Sequence, residues 1–138
     1  MTYGRLKNLT TVILSGDSIV PDSDAETSAL LQYALEEIGT RGYSEKLTVP
    51  LQDGLPEGRE AMSLSIENKI VLRPLLPTSD DDIIDIDEGL CYPLARFMAS
   101  VISIEKMEYH RNIAFKEIEA YNTRYIALSE REALNGIR

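Results

Sequence analysis

The chain has 138 residues, 43% of them hydrophobic and 27% charged, and a formal net charge of -9. That length and balance fit one globular domain with its own core and exclude wholesale disorder. The excess of 23 Asp+Glu over 14 Lys+Arg disfavours wrapping a nucleic-acid backbone, because every phosphate contact calls for a cation. A single cysteine, Cys91, excludes an internal disulfide framework and fits a reducing compartment. The run Val12-Ile13-Leu14 is too short for a signal segment or a membrane span, so the chain is expected to be made and kept in the cytosol, with no membrane partner.

Taken in chain order, the first element is ambiguous. Leu6, Leu9, Ile13 and Leu14 have helical spacing over residues 2–14, whereas the β-branched run Thr10-Thr11-Val12-Ile13 favours a strand. Pro21-Asp22-Ser23-Asp24 reads as a capped helix start, and a helix follows from about Asp24 to Ile38 on the face Leu30, Leu31, Ala34, Leu35 and Ile38. Gly39 and Gly42 are expected to end it. Between Tyr43 and Leu76 the period changes to short alternating runs, Leu47-Thr48-Val49, Ser63-Leu64-Ser65-Ile66 and Ile70-Val71-Leu72. The last two are expected to meet as a hairpin across Glu67-Asn68-Lys69, with Gly54, Pro56 and Gly58 marking a loop before them. Such an excursion is expected to serve as an arm that contacts a partner.

Six acids and no base lie between residues 74 and 95, so the acid is densest just before the longest apolar stripe. Asp87 and Glu88 are placed to cap the next helix and complement its dipole, which gives the acids a structural task. The stripe runs through Leu90, Leu94, Phe97, Val101 and Ile104, then Met107, Ala114, Ile118, Tyr121, Tyr125 and Leu128. Its steps alternate between four and three residues except at Ile104, where they slip. An unbroken helix over 90–130 would reach roughly 60 Å, longer than a domain of this size, so a kink or break near Ser103 is expected. Pro93 requires either a kink or a regular helix that begins near Tyr92.

The fold expected from these elements is mostly α: a small antiparallel helix bundle with a long C-terminal helical region and a central β-hairpin or extended excursion. Residues 1–138 are expected to form one domain, with a helical core over about 22–42 and 87–132 and an arm over about 44–76.

Candidate chemistry is sparse. The block Thr10 to Ser18, ending Gly16-Asp17-Ser18, resembles the first block of the Gly-Asp-Ser-Leu esterases, in which a strand delivers the nucleophilic serine, here Ser18. The single histidine, His110, has Met107 three positions before it where those enzymes carry an aspartate, so the base that a serine needs is not evident. His110 lies between Glu108 and Arg111 and is expected to be solvated, while Cys91 is expected to be a small buried residue. Asp80-Asp81-Asp82 with Asp85 and Asp87 lacks the spacing of an EF-hand, and neither a metal nor a cofactor is expected. Tyr121 and Tyr125, with Arg124 and Arg131 at helical spacing and Tyr109 upstream, suit either the rim of a core or a protein–protein contact.

The order of features resembles the head-to-tail adaptor (connector) proteins of tailed bacteriophages. The resemblance is carried by the helix near the N-terminus, the polar excursion, and the lead-in Ile84-Asp85-Ile86-Asp87-Glu88-Gly89-Leu90 running into Tyr92-Pro93-Leu94-Ala95-Arg96-Phe97-Met98-Ala99. A second helical stretch from Lys106 to Tyr125 completes it. The resemblance implies a non-enzymatic virion protein of the neck, assembled in the host cytoplasm as a homo-oligomeric, twelve-fold ring. That ring would bind beneath the portal protein and above a downstream tail or head-closure protein, and would line a channel through which DNA passes without specific binding. It places the portal or oligomer interface near the C-terminus, at Tyr121, Arg124, Tyr125, Leu128 and Arg131. A reading from another class is a small cytosolic helical interaction or regulatory module, dimeric through the Leu90–Leu128 stripe.

Overall fold

The computed structural model describes residues 1–16, 18–21, 23–64 and 68–136, with the backbone alone described for residues 64 and 125–136. Over these residues the chain is mostly helical, with one small antiparallel sheet.

Helix α1, Tyr3–Leu14, resolves the ambiguity at the start of the chain in favour of the 3.6-residue period. Thr2 caps it by accepting from the Arg5 amide at 3.2 Å. Tyr3, Leu6, Thr10 and Leu14 then fall on one buried face. The β-branched threonines are tolerated because each hydroxyl bonds back along the helix, Thr10 to the Leu6 carbonyl at 2.8 Å and Thr11 to that of Lys7 at 3.0 Å.

Helix α2, Asp24–Arg41, starts on Ser23 as expected but runs past Gly39, which does not end it. Gly39 is instead a packing residue: a Cβ there would meet the Met62 and Leu47 side chains at 3.3 and 3.4 Å. The helix stops at Gly42, whose amide closes on the Ile38 carbonyl at 2.8 Å.

The excursion holds three strands, β1 Thr48–Pro50, β2 Ala61–Leu64 and β3 Lys69–Leu72, in the order β1-β3-β2, all antiparallel. The expected strand over Ser63–Ile66 lies earlier, its second half being outside the described residues, and Leu47-Thr48-Val49 contributes the third strand. Ile70 and Leu72 alternate inward and, with Leu47, join the same core as the helices, so the excursion is anchored to the bundle.

The long stripe is two helices, α3 Glu88–Ile102 and α4 Met107–Gly136. The slip at Ile104 marks the reversal: Ser103 caps α3 through its amide to the Ala99 carbonyl, and Ile104 stands 80% exposed in the turn. Pro93 is interior to α3, not at its start, and its ring is buried although the position gives up one helical hydrogen bond. Leu90, Leu94, Phe97 and Met98 from α3 meet Ala114 and Ile118 from α4 in the central core. Much of the stripe is therefore spent inside the chain.

The acidic connector turns over 79–82 and then pairs with the start of the chain, the Tyr3 amide donating to the Asp82 carbonyl and the Ile84 amide to the Met1 carbonyl, both at 2.9 Å. Ile84 and Ile86 point inward and are 1% exposed, while the intervening Asp85 turns to the Arg59 guanidinium at 2.8 Å and the Leu75 amide at 2.9 Å.

Candidate interaction surfaces

Asp87 is the polar centre of the bundle. It stands at the N-cap position of α3 yet makes no side-chain cap bond to that helix. Its carboxylate instead accepts from Ser44 Oγ at 2.9 Å and from the Glu45 and Lys46 amides at 2.8 and 3.0 Å, which caps the short 3-10 turn Glu45–Leu47. The Tyr121 hydroxyl donates to the same carboxylate, and the Asp87 amide returns a bond to Ser44 Oγ at 3.3 Å. Burial alone would push this carboxyl up, but the hydrogen bonds from Tyr121, the two amides and Ser44 outweigh it and hold it below its ordinary value. One side chain thus ties the end of α2, the entrance to α3 and the middle of α4 together.

Tyr121 completes the joint from the other side. Its ring lies so close over Gly89 that a Cβ there would fall 2.7 Å from it. Gly89→Ala is therefore expected to lower stability by about 1–3 kcal/mol. In a Tyr121→Ala background most of that loss should vanish, which paired thermal melts would read out. Next along α4, Asn122 clips the end of α2, its amide nitrogen donating to the Arg41 carbonyl and its oxygen accepting from the Tyr43 amide, both at 2.9 Å.

These contacts fix how far α4 extends. α3 begins at Glu88, against Tyr121, and α4 continues as helix to Gly136. The helical rise carries that remainder about 22 Å past the start of α3. Of the residues assigned to an interface, Tyr121 is half-buried in the joint and Arg124 is exposed. The side chains of Tyr125, Leu128 and Arg131 lie outside the described residues.

At the opposite end, Val12 and Ile13 of α1 and Ser15 just after it face Arg96 of α3, Lys106 in the turn, and Tyr109 and His110 of α4 across a cleft of about 380 Å³. His110 is not solvated, being 3% exposed, with Nδ1 3.3 Å from Arg96 Nη1 and its ring edge-on to Tyr109. Burial follows from helical position, since His110, Ala114, Ile118 and Tyr121 share the face that meets α3. The serine lining this cleft is Ser15, not Ser18, and the run expected to deliver an esterase serine on a strand is the last turn of α1. Cys91 is fully buried, and that burial pushes its thiol up to about 11.

Of the connector acids, Asp80, Asp82, Asp85 and Asp87 are engaged within the fold. Asp80 pairs with Lys7 at 2.6 Å, and Asp82 gathers the Thr78 amide and hydroxyl and the Ser79 amide, which hold its carboxyl below the ordinary range. Among the described residues no three His, Cys, Asp or Glu side chains come together as a metal-holding group, and no helix is long and apolar enough to cross a membrane. Comparison with protein-family models, with curated proteins and with solved structures finds no match to this chain.

Proposed function

We propose that this chain is a structural subunit of a tailed-phage neck, an adaptor that assembles as a ring beneath a portal and contributes to the wall of the DNA exit channel. The observation that supports the reading best is the terminal half of α4. A two-helix stripe fills the core, and helical backbone then continues about 22 Å past the start of α3. A helix of that kind suits insertion against a larger partner, and here Arg124 and the residues from Tyr125 to Arg131 would meet the portal. Tyr121 is removed from that contact to a supporting place, because it fixes the angle at which the helix leaves the body.

The net charge of -9 suits a channel wall from which DNA must slide free, since like charges suppress tight binding. A downstream tail or head-closure protein would occupy the other side of the ring, and the protein would reside in the virion neck after assembly in the host cytoplasm. The reading is tested by mixing the chain with a portal ring from the same source. Co-migration in one particle of ring mass is expected, and separate elution of the two at micromolar concentration would refute it.

A further inference from the structure

The reversal between α3 and α4 consists of Ser103-Ile104-Glu105-Lys106, none of which is glycine or proline and none of which takes a positive φ. Ser103 is extended, at φ -99° and ψ 93°. After it the chain already turns much as a helix does. The Lys106 amide reaches the Ser103 carbonyl at 3.2 Å, the Met107 amide that of Ile104 at 3.4 Å, and the His110 amide that of Lys106 at 3.1 Å. The Ile104 and Glu105 amides have no backbone partner among the described residues. No residue of the reversal is therefore barred from a right-handed helix.

Ile104 shows what a straight form would offer. It stands 80% exposed in the turn, yet it follows Leu90 by fourteen residues and Phe97 by seven, and both of those are fully buried. Were α3 to continue straight, that spacing would keep Ile104 on the buried stripe, and the short step to Met107 would need only local overwinding. A lone chain would lose by this, because Ala114 and Ile118 would be drawn off Leu90, Leu94 and Phe97, and Tyr121 would part from Asp87. A second copy opened in the same way restores those contacts, since the α4 of either chain fits the place the other has vacated.

We propose that the α3–α4 reversal is a hinge through which two copies exchange α4: each straightens at Ser103, and the two continuous helices cross where their Ile104 side chains meet. Straightening gains helical hydrogen bonds from the Ile104 and Glu105 amides to the Ser100 and Val101 carbonyls and takes an exposed isoleucine out of water, which offsets part of the cost of joining two chains. Exchange of this kind calls on no portal, so it stands or falls apart from the neck reading.

Ile104→Pro separates the two forms. In the reversal, proline at this position gives up no backbone hydrogen bond, follows an extended residue, and takes the favoured second place of the 103–106 turn. In a continuous helix it removes the bond to Ser100 and clashes with that carbonyl. The test is native mass of the full chain over a range of concentrations, together with the distance between spin labels in a Tyr92→Cys/Lys116→Cys chain diluted into unlabelled wild type. Both positions are exposed, whereas Cys91 is buried away from the label. The hairpin keeps the labels on neighbouring antiparallel helices, and a continuous helix sets them about 36 Å apart. Wild type is expected to form pairs that show the longer distance, and Ile104→Pro to keep or raise the melting temperature while the paired fraction falls about tenfold or more. Pairs whose labels keep the hairpin distance, a wild type that stays single at every concentration, or a folded Ile104→Pro that pairs as wild type does would each overturn the hinge. If the proline unfolds the chain, the label distance in wild-type pairs decides alone.

Discussion

Phe97→Ala is expected to be the most damaging single substitution in the chain, costing about 3–5 kcal/mol and unfolding much of the population at physiological temperature. Phe97 is 1% exposed in the middle of α3, where all three of the other helices or their side chains converge on the core. Its ring lies 5.7 Å from that of Tyr33 on α2 and 6.3 Å from that of Phe115 on α4. Arg111 stands over it at 5.4 Å, and Arg41 covers Phe115 at 4.4 Å, so the aromatic layer is closed on its outer side by two guanidinium groups. Alanine would leave a cavity that these rings, each fixed by a different helix, cannot jointly collapse to fill. Urea unfolding monitored by circular dichroism would measure the loss, and a cost below about 1 kcal/mol would show that the layer is not packed as described.

Asp87→Ala is expected to cost about 3 kcal/mol, because it strands the Ser44 hydroxyl, two backbone amides and the Tyr121 hydroxyl together. Asp87→Asn keeps the shape but can accept through one oxygen only, so a smaller loss is expected. The pair also carries a pH signature. The folded carboxyl titrates below its unfolded counterpart, so its stabilisation is complete above the unfolded value of about 4 and disappears as the pH falls through the lower folded value. Acid unfolding of wild type should therefore show a component in that window that Asp87→Asn lacks. Parallel curves for the two proteins would mean that the Asp87 cluster does not hold the joint.

The legible and illegible parts of this fold divide along physical lines. The α3–α4 reversal could be located from sequence because a four-three apolar alternation is a property of one helix, and its slip at Ile104 marks a kink or a break, which the structure resolves as a break. α1 could not be decided, since Thr10, Thr11, Val12 and Ile13 prefer strands locally and only the burial of the helical face Tyr3, Leu6, Thr10 and Leu14 settles the matter. Gly39 looked like a helix end because glycine usually is one. Its reason for being there is the side chains of Met62, from β2, and Leu47, from the 3-10 turn before β1, brought over it.

The joint around Asp87 was invisible for the same reason. Its partners Ser44 and Tyr121 lie 43 and 34 residues away, and pattern reading sees only the nearest turn, where an acid before a helix reads as that helix's own cap. His110 was legible in principle, because it stands four residues before Ala114 and eight before Ile118, on the face that must be buried. The charges of Glu108 and Arg111 in the linear sequence concealed it. The terminal half of α4 was legible as helix, but not that Tyr121 would belong to the body of the bundle.

The central claim is that the terminal half of α4 exists to grip a portal. Native mass measurement of the full-length chain mixed with its portal ring, beside a Tyr125→Glu/Leu128→Glu variant of unchanged melting temperature, tests it most directly. The account predicts that wild type adds to the ring in a fixed number of copies and that the variant stays off it. Equal loading of both proteins, or a wild type that never joins the ring, would contradict it.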